Sequence, residues 1–346
     1  MDISLFDFDL PEELIAQSPS KKRDECRLLA VNKDEKTCES LIFSDILKFF
    51  KKGDVLVRNN TKVIPARLYA TKIGTGAHVE VLLLKDLGDD TWEALVGNAK
   101  TVKVGTKLDF NDGKLIATCE EVLDEGIRHL KFEYDGIFLE ILEEIGLMPL
   151  PPYIKKQCEN NSDYQTVYAE VNGSAAAPTA GFHFTNEMFD KLKEIGVEVI
   201  DVTLQIGLGT FRPVKVNDTK DHIMHSEEYF ISKNAADRLN LAKKEGRKII
   251  AVGTTCTRTL EANINKYGEF KETKESTNIF IYPGYEFKAI DALITNFHLP
   301  KSTLVMLVSA FMGREFTLEC YKYAVDNKFR FFSFGDAMFI YGNDKL

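Results

Sequence analysis

Two hydrophobic patterns follow one another along this chain, and together they limit its fold more than any other property of the sequence. From about residue 66 to residue 134, short runs rich in β-branched and aromatic residues recur between Gly, Asn and Asp. Such runs between turn residues are typical of a small antiparallel sandwich or barrel. Elsewhere, strands are followed by longer amphipathic segments, which is typical of α/β domains. The sequence therefore predicts an α/β main domain with an inserted small antiparallel β-barrel domain.

The inserted domain is predicted to span residues 66–135, and the α/β domain is predicted to be discontinuous, with residues 1–65 and 136–346. Barrel strands are expected at residues 67–70, 78–84, 91–96, 107–110, 115–119 and 128–134. In the α/β half, helices are expected at residues 186–195, 234–245 and 303–311. Its strands are expected at residues 54–57, 197–204, 248–252 and 289–297, with a closing strand at 329–334.

Composition and charge exclude several classes of protein. Hydrophobic residues make up 44% of the chain and charged residues 28%, as in ordinary globular proteins. No apolar stretch approaches the ~20 residues that cross a membrane, and the acidic N-terminus lacks the features of a secretory signal, so we expect a cytoplasmic protein. Six cysteines without a C-x-x-C pair indicate reduced thiols. The net charge of -9 disfavours non-specific binding to a polyanion, so any nucleic acid must contact a local basic patch.

The segment from Gly173 to Thr185 consists mostly of small side chains and precedes a predicted helix. Small residues allow a ligand to approach the backbone closely. Thr179 and Gly181 are therefore candidate binding residues. The alternative is a tightly packed crossover in which Thr185 caps the helix and His183 is a hydrogen-bonded core histidine. Composition alone favours this alternative.

A second segment, residues 248–261, is a buried strand followed by a Gly-Thr-Thr turn and the start of a helix. In open α/β sheets, ligands bind beyond the carboxyl ends of the strands, where helix N-termini present free N–H groups. Thr254, Thr255 and Arg258 are therefore candidates for binding a carboxylate or a phosphate. A turn capped by threonines explains the same residues equally well, and Cys256 is expected to be a packed residue rather than a nucleophile.

A third segment, residues 294–303, ends a predicted strand and begins an apolar helix, with Ser302 or Thr303 as the cap. Polar groups gather at this point. His298 can act as an acid or a base near neutral pH, Asn296 is a candidate binding residue, and Lys301 can hold an anion. A lone histidine in such a turn is more often structural than catalytic.

A fourth segment contains Gly207 and Gly209, which allow a ligand to approach the backbone, and His225 follows it. His225 and Glu227 form a titratable pair that suits proton transfer. His222 and His225 have a spacing found in metal sites, but no third ligand follows at a suitable distance, and no metal is predicted. The sequence also lacks a P-loop and a strand-borne G-x-G-x-x-G, so no local motif indicates binding of a nucleoside triphosphate or a dinucleotide.

Further segments occur in a fixed order along the chain. They are Phe-Asp-Phe-Asp-Leu-Pro at residues 6–11, Asn-Asn-Thr-Lys-Val-Ile-Pro-Ala-Arg-Leu at 59–68, Leu-Pro-Pro-Tyr-Ile at 150–154, Tyr-Gln-Thr-Val-Tyr-Ala at 164–169, Phe-Ile-Tyr-Pro-Gly-Tyr at 280–285 and Phe-Phe-Ser-Phe-Gly-Asp-Ala-Met at 331–338. Together with the four segments above, they resemble the S-adenosylmethionine:tRNA ribosyltransferase-isomerase family nearly from end to end.

The resemblance implies that the chain transfers the ribosyl group of its co-substrate, S-adenosylmethionine, to tRNA and isomerises it. The acceptor is the 7-aminomethyl-7-deazaguanine (preQ1) base at the wobble position, the product is epoxyqueuosine-tRNA, and adenine and methionine are released. The sulfonium acidifies the hydrogens on ribose C5′, so a general base can remove one. Under this interpretation the candidates for proton transfer are His183, His225 and His298. The candidate binding residues are Thr179, Gly181, Gly207, Gly209, Thr254, Thr255, Arg258, Asn296 and Lys301.

One position departs from the family, which has His in Thr-Leu-His-Val-Gly where this chain has Gln205. Either that position does not supply the base, or this enzyme has shifted the role. Two other functions stay open at this stage, namely a ribosyl or phosphoribosyl transferase that acts on free bases and a non-catalytic RNA-binding protein. The resemblance implies tRNA carrying preQ1 as the partner, and we expect no membrane contact and a monomeric chain.

Overall fold

The protein is described by a computed structural model over residues 1–155, 160–207 and 216–343. In chain order, the strands are β1 Arg27–Asn32, β2 Thr37–Ile42, β3 Val55–Asn59, β4 Thr61–Val63, β5 Arg67–Lys72, β6 His78–Gly88, β7 Thr91–Val96, β8 Lys107–Phe110, β9 Leu115–Val122, β10 Ile127–Tyr134, β11 Val171–Ser174, β12 Glu198–Leu204, β13 Glu227–Ile231, β14 Ile249–Val252, β15 Thr273–Thr277, β16 Ala292–Asn296 and β17 Ala337–Tyr341. The α-helices are α1 Phe138–Ile145, α2 Asn186–Ile195, α3 Lys233–Lys244, α4 Gly253–Tyr267, α5 Thr303–Met312 and α6 Arg314–Asp326. Within the described ranges, no helix has the length and apolar character needed to cross a membrane.

Nine of the described strands form one mixed sheet in the order β15, β13, β12, β3, β14, β16, β17, β1, β2. The four central strands, β12, β3, β14 and β16, are parallel, so their carboxyl ends lie along one edge of the sheet. Strand β14 is buried along its whole length, as expected for a parallel strand covered on both faces. Ile249 and Ala251 pack in one hydrophobic core, and Ile250 and Val252 pack in the other.

Between β4 and α1, six strands close into an antiparallel barrel in the order β10, β7, β6, β5, β8, β9. Alternate residues fill its interior, so that Leu68 and Ala70 of β5 are buried while Tyr69 is exposed. Helix α1 packs against this core through Leu142. The predicted fold class, an α/β main domain with an inserted small antiparallel β-barrel domain, is confirmed. The domain limits at residues 66 and 135 stay a prediction.

Local sequence signals account for several helix ends. Helix α2 begins and ends where it was predicted, because the Thr185 hydroxyl accepts a hydrogen bond from the Met188 N–H and Gly196 ends the helix with a φ of 90°. Ser302 caps α5 in the same way, with the Val305 N–H as donor at 3.3 Å. This cap fixes the start of the apolar helix that follows β16.

The predicted closing strand at residues 329–334 is wrong. The closing strand is β17, which pairs in parallel with β1 and antiparallel with β16. Phe331 instead forms an isolated parallel bridge with Ile15, and residues 332–335 form a turn in which Phe332 has a left-handed φ of 74° and its carbonyl accepts a hydrogen bond from the Gly335 N–H. Phe329, Phe331 and Phe334 are buried there. The hydrophobic run therefore reflects ring burial, which a turn can provide as well as a strand.

Candidate active site

A pocket opens at the carboxyl ends of the central parallel strands, directly after β14 and β16. It contains about 660 Å³ of empty space, part of it open to solvent, which suits a small-molecule ligand. Residues from distant parts of the chain line it, namely Tyr153, Tyr164, Ile206, Arg258, Leu304, Phe332, Ser333 and residues 176–180, 253–255 and 295–298. Each of the four candidate segments identified in the sequence contributes at least one residue to this lining. The fourth segment contributes Ile206, which precedes Gly207.

Helix α4 presents its N-terminus to the pocket. Gly253 turns the chain from β14 into the helix with a φ of 89°, and Val252 before it provides no side-chain cap. The first N–H groups of an α-helix have no partner within the helix, and the helix dipole favours negative charge beside them. Thr254 and Thr255 lie on the lining in this first turn. This end of the pocket therefore suits a carboxylate or a phosphate.

Arg258 follows in the same helix and forms a buried ion pair with Glu227 of β13. Arg258 Nη2 lies 2.5 Å from Glu227 Oε2, and the two side chains are only 7% and 8% exposed. Arg258 Nε and Thr255 Oγ1 are buried and have no hydrogen-bond partner in the described part of the chain. Because buried polar atoms in folded proteins are nearly always hydrogen-bonded, these two atoms are candidates for hydrogen bonds to a ligand.

His298 lies on the lining between two hydroxyl groups. Its Nδ1 is 3.2 Å from the hydroxyl oxygen of Tyr321 in α6, and that oxygen also accepts a hydrogen bond from the His298 backbone N–H. Its Nε2 is 3.3 Å from Thr295 Oγ1. Burial lowers the pKa of His298 from 6.5 to about 3, because the charged imidazolium would lose its hydration. The ring is therefore neutral near pH 7, and one of its nitrogens can accept a proton.

His183 lies behind the lining, in a series of hydrogen bonds that ends at the pocket. Asn296 Nδ2 donates to the Phe332 carbonyl at 3.2 Å and to His183 Nε2 at 3.1 Å. Because Nε2 is then an acceptor, the neutral ring carries its proton on Nδ1, which lies 3.0 Å from Cys26 Sγ. The Thr179 hydroxyl donates to Asn296 Oδ1 at 3.1 Å and connects the series to the lining.

This histidine network is uncharged near neutral pH. Burial, together with Arg330 and Arg23, lowers the pKa of His183 from 6.5 to about 3. Burial also raises the pKa of the Cys26 thiol. These contacts match the hydrogen-bonded core histidine that was the alternative for this position, and a proton-transfer role for His183 stays a prediction.

Two candidates, Lys301 and His225, lie on the surface rather than on the lining. Lys301 has a left-handed φ of 57° and its Nζ forms an ion pair with Asp7 Oδ2 at 2.8 Å. His225 is exposed in the loop that precedes β13. The structure therefore places neither side chain on the pocket lining, and their roles stay predictions.

The candidate glycines have different surroundings. A Cβ atom at Gly181 would lie 2.0 Å from the Tyr168 hydroxyl oxygen and 2.8 Å from Thr166 Cγ2. The space beside Gly181 is thus filled by the protein itself. Gly207 follows a lining residue, and a Cβ atom there would meet no described atom within 4 Å. Gly209 lies outside the described residues.

Several residues around the site carried no functional signal in the sequence. Tyr153 and Phe332 line the pocket, but they lie in segments that supported the resemblance without suggesting a role. Tyr321 contacts His298, from which it is 23 residues away along the chain, and Cys26 contacts His183, from which it is 157 residues away. No local pattern could have found these contacts, because each of them depends on the tertiary fold.

Gln205, at the position where the resemblance would place a histidine, is held by two neighbours. Its Oε1 accepts a hydrogen bond from the Thr61 hydroxyl at 2.6 Å, and its Nε2 donates to the Asn172 carbonyl at 3.2 Å. Among the described residues, Gln205 is not part of the pocket lining. No group of three or more His, Cys, Asp or Glu side chains that could hold a metal ion occurs within residues 1–155, 160–207 and 216–343.

Comparison with known proteins agrees with this architecture. The family model described as queuosine biosynthesis protein matches residues 3–340. An S-adenosylmethionine:tRNA ribosyltransferase-isomerase from Clostridioides difficile (strain 630) is 56% identical over 335 residues, which cover 97% of this chain and 98% of that relative. A crystal structure of S-adenosylmethionine tRNA ribosyltransferase from Thermotoga maritima is 39% identical and matches 97% of this chain and 99% of its own with a TM-score of 0.57. The chain therefore belongs to the S-adenosylmethionine:tRNA ribosyltransferase-isomerase family of queuosine biosynthesis proteins.

Proposed function

We propose that this pocket is the place where the enzyme binds S-adenosylmethionine and transfers its ribosyl group to tRNA. The chain is an S-adenosylmethionine-dependent tRNA ribosyltransferase-isomerase of queuosine biosynthesis. The observation that carries the assignment of the pocket is the pair of unpartnered buried atoms, Arg258 Nε and Thr255 Oγ1, beside the N-terminus of α4. These groups suit the methionine carboxylate of the co-substrate, since a carboxylate accepts hydrogen bonds from N–H and O–H donors and is favoured at a helix N-terminus.

The reaction moves the ribosyl group onto the aminomethyl nitrogen of preQ1 in tRNA, and adenine and methionine are released. The sulfonium withdraws electrons from ribose C5′, which makes a hydrogen there acidic enough for a general base to remove. We assign this base to His298, because among the described residues it is the histidine that lies on the lining. The electron pair that remains on C5′ forms a C4′–C5′ double bond as the C4′–O4′ bond breaks. O4′ then forms a carbonyl with C1′ as the bond from C1′ to adenine breaks, and adenine leaves with that electron pair and takes up a proton.

The contacts of His298 are compatible with that role. A neutral imidazole accepts a proton on the ring nitrogen that carries none. If the ring proton sits on Nδ1, the Tyr321 oxygen at 3.2 Å can accept it. Nε2 is then the basic nitrogen, on the side of Thr295 and the pocket.

The remaining polar groups of the lining are assigned to binding. Asn296 and Thr179 present fixed amide and hydroxyl groups, and His183 fixes Asn296 from behind. We therefore assign His183 to the positioning of Asn296, and its direct participation in proton transfer is the alternative that the variants below separate.

The partner is tRNA carrying preQ1, and we propose that the chain acts on it as a monomer in the cytoplasm. The net charge of -9 requires that the tRNA contact a local basic surface rather than the protein as a whole. Sedimentation velocity of the enzyme with and without tRNA tests the monomer, since a dimer would sediment as one species of twice the mass.

The decisive experiment for the function measures adenine formed from S-adenosylmethionine by chromatography. We expect adenine with tRNA that carries preQ1 and none with the unmodified tRNA. Adenine formed with the free deazaguanine base would instead favour a transferase for free bases. Binding of tRNA without any adenine would favour the non-catalytic RNA-binding alternative.

Two variants then test the roles of the histidines. His298→Ala is expected to lower the rate of adenine release by roughly 10²- to 10⁴-fold, the usual contribution of a general base, while tRNA still binds. His183→Ala is expected to weaken S-adenosylmethionine binding, because Asn296 loses one of its three partners, and to change the rate at saturating co-substrate much less. Near-normal turnover in both variants would contradict the assignment.

A further inference from the structure

The turn before β17 presents one aromatic ring to the pocket. Phe331 and Phe334 are buried, with 0% and 3% exposure. Phe332 lies between them but is only half-buried, and it lines the pocket. Its φ of 74° is in the left-handed region, which residues with a side chain rarely adopt. The ring of Phe332 packs against the edge of the core that contains Phe331, and it also lines the pocket.

Hydrogen bonds hold Phe332 in that conformation from several sides. Its N–H donates to the Phe297 carbonyl at 3.0 Å, and its carbonyl accepts from the Gly335 N–H at 2.8 Å. The same carbonyl accepts from Asn296 Nδ2 at 3.2 Å. Strained residues that the surroundings hold in place occur mainly at functional sites. The conformation therefore indicates a function for the side chain that it presents.

A second ring lies against the first. The ring centroids of Tyr153 and Phe332 are 4.2 Å apart, with an interplanar angle of 56°. The Tyr153 hydroxyl is hydrogen-bonded to Ser333 Oγ at 2.6 Å, and Tyr153 and Ser333 also line the pocket. One ring is thus fixed through its backbone and the other through its hydroxyl, and both stay half-buried beside empty space.

We infer that Tyr153 and Phe332 form a stacking site for a planar heterocyclic base. Rigid, partly exposed aromatic side chains bind bases by stacking, because every base presents a flat π-face. The inference rests on the proposed function, in which the reaction brings two such bases to the pocket, the adenine of S-adenosylmethionine and the deazaguanine of tRNA. The site is distinct from the polar N-terminus of α4, which suits a carboxylate rather than a base.

Two variants of Phe332 test the site. Phe332→Gly removes the ring and suits a positive φ, which offsets part of the packing lost with the ring, and its melting temperature shows whether it is folded. Phe332→Tyr keeps a ring and is the matched control. For each variant, calorimetric titration gives the dissociation constant of S-adenosylmethionine, and fluorescence anisotropy gives that of an anticodon stem-loop carrying preQ1.

Loss of one stacked base is expected to weaken binding by roughly 5- to 150-fold. Weaker S-adenosylmethionine binding in Phe332→Gly identifies adenine as the stacked base, and weaker stem-loop binding identifies the deazaguanine. Phe332→Tyr is expected to stay within about 2-fold of wild type, which is below the contribution of one stacked base. If Phe332→Gly is folded and binds both ligands like wild type, the inference is overturned.

A second variant and the wild-type enzyme keep the test decisive. Tyr153→Leu removes the other ring and its hydrogen bond to Ser333 but leaves every residue of the turn in place, so it gives the same comparison if Phe332→Gly does not fold. Wild type is titrated in parallel. Failure of wild type to bind S-adenosylmethionine would refute the proposed function, whereas unchanged binding in both ring-deletion variants beside an active wild type would refute the stacking site alone.

Discussion

The two buried histidines should make the stability of the folded protein depend strongly on pH. Burial lowers the pKa of both His183 and His298 from 6.5 to about 3. Between these values, the unfolded chain binds a proton at each histidine and the folded protein does not. Stability rises with pH wherever the unfolded state binds more protons. Stability should therefore fall as the pH drops below about 6.5 and continue to fall toward about 3.

The size of the effect follows from the pKa difference. Each histidine contributes about 1.4 kcal/mol per pH unit in this window. Acidification from about pH 7.5 to about pH 5 should then lower the free energy of unfolding by about 2 kcal/mol for each histidine and about 4 kcal/mol for both. Native proteins are stable by only about 5–15 kcal/mol, so this loss is a large part of the total.

Urea denaturation at about pH 7.5 and about pH 5 measures the effect, and a variant isolates it from the other titrating groups. His298→Asn keeps a polar group near Tyr321 but cannot titrate, so its loss of stability on acidification should be smaller than that of wild type by about 2 kcal/mol. His78→Asn, at an exposed histidine of the barrel, controls for the substitution itself. If His298→Asn lost as much stability as wild type, burial of a neutral His298 would be refuted.

Two further predictions concern Arg258 and Gly181. Arg258→Ala should lower the free energy of unfolding by about 3–5 kcal/mol, because Glu227 stays buried without its cation. Arg258→Met combined with Glu227→Gln should recover most of that stability in urea denaturation without restoring S-adenosylmethionine binding. If this double variant bound S-adenosylmethionine as tightly as wild type does, the role of Arg258 would be contradicted. Gly181→Ala should lower the melting temperature, since its Cβ atom would lie 2.0 Å from the Tyr168 hydroxyl oxygen. Gly207→Ala, where a Cβ atom meets no described atom within 4 Å, is the matched control for this steric effect.

The sequence predicted those elements whose limits are set locally. The barrel strands lie between turns that contain residues with positive φ, such as Gly88, Gly105 and Gly113, and such residues are recognisable without tertiary information. The closing strand at 329–334 failed for the opposite reason. Burial of Phe329 and Phe331 produces the same hydrophobic run in a strand and in a turn, and only the pairing of β17 with β1 and β16 distinguishes the two.

The same distinction applies to the candidate site. Thr254, Arg258 and His298 could be placed together from the sequence, because the carboxyl ends of neighbouring parallel strands meet at one edge of a sheet. The position of His183 behind Asn296 could not be predicted, since it depends on side-chain packing across the sheet. The contact between Tyr321 and His298 could not be predicted either, because only the folded chain brings α6 close to His298.

The electrostatics of the pocket fit a positively charged co-substrate. Arg258 is the cation at the α4 end, and Glu227 balances its charge at 2.5 Å while Nε remains available to a ligand. The two histidines near the lining are kept neutral by burial. A protonated histidine at either position would repel a sulfonium, and the repulsion would be strong because buried charges are poorly screened. In the proposed function, the burial that costs stability in acid therefore also keeps the site able to bind a cation.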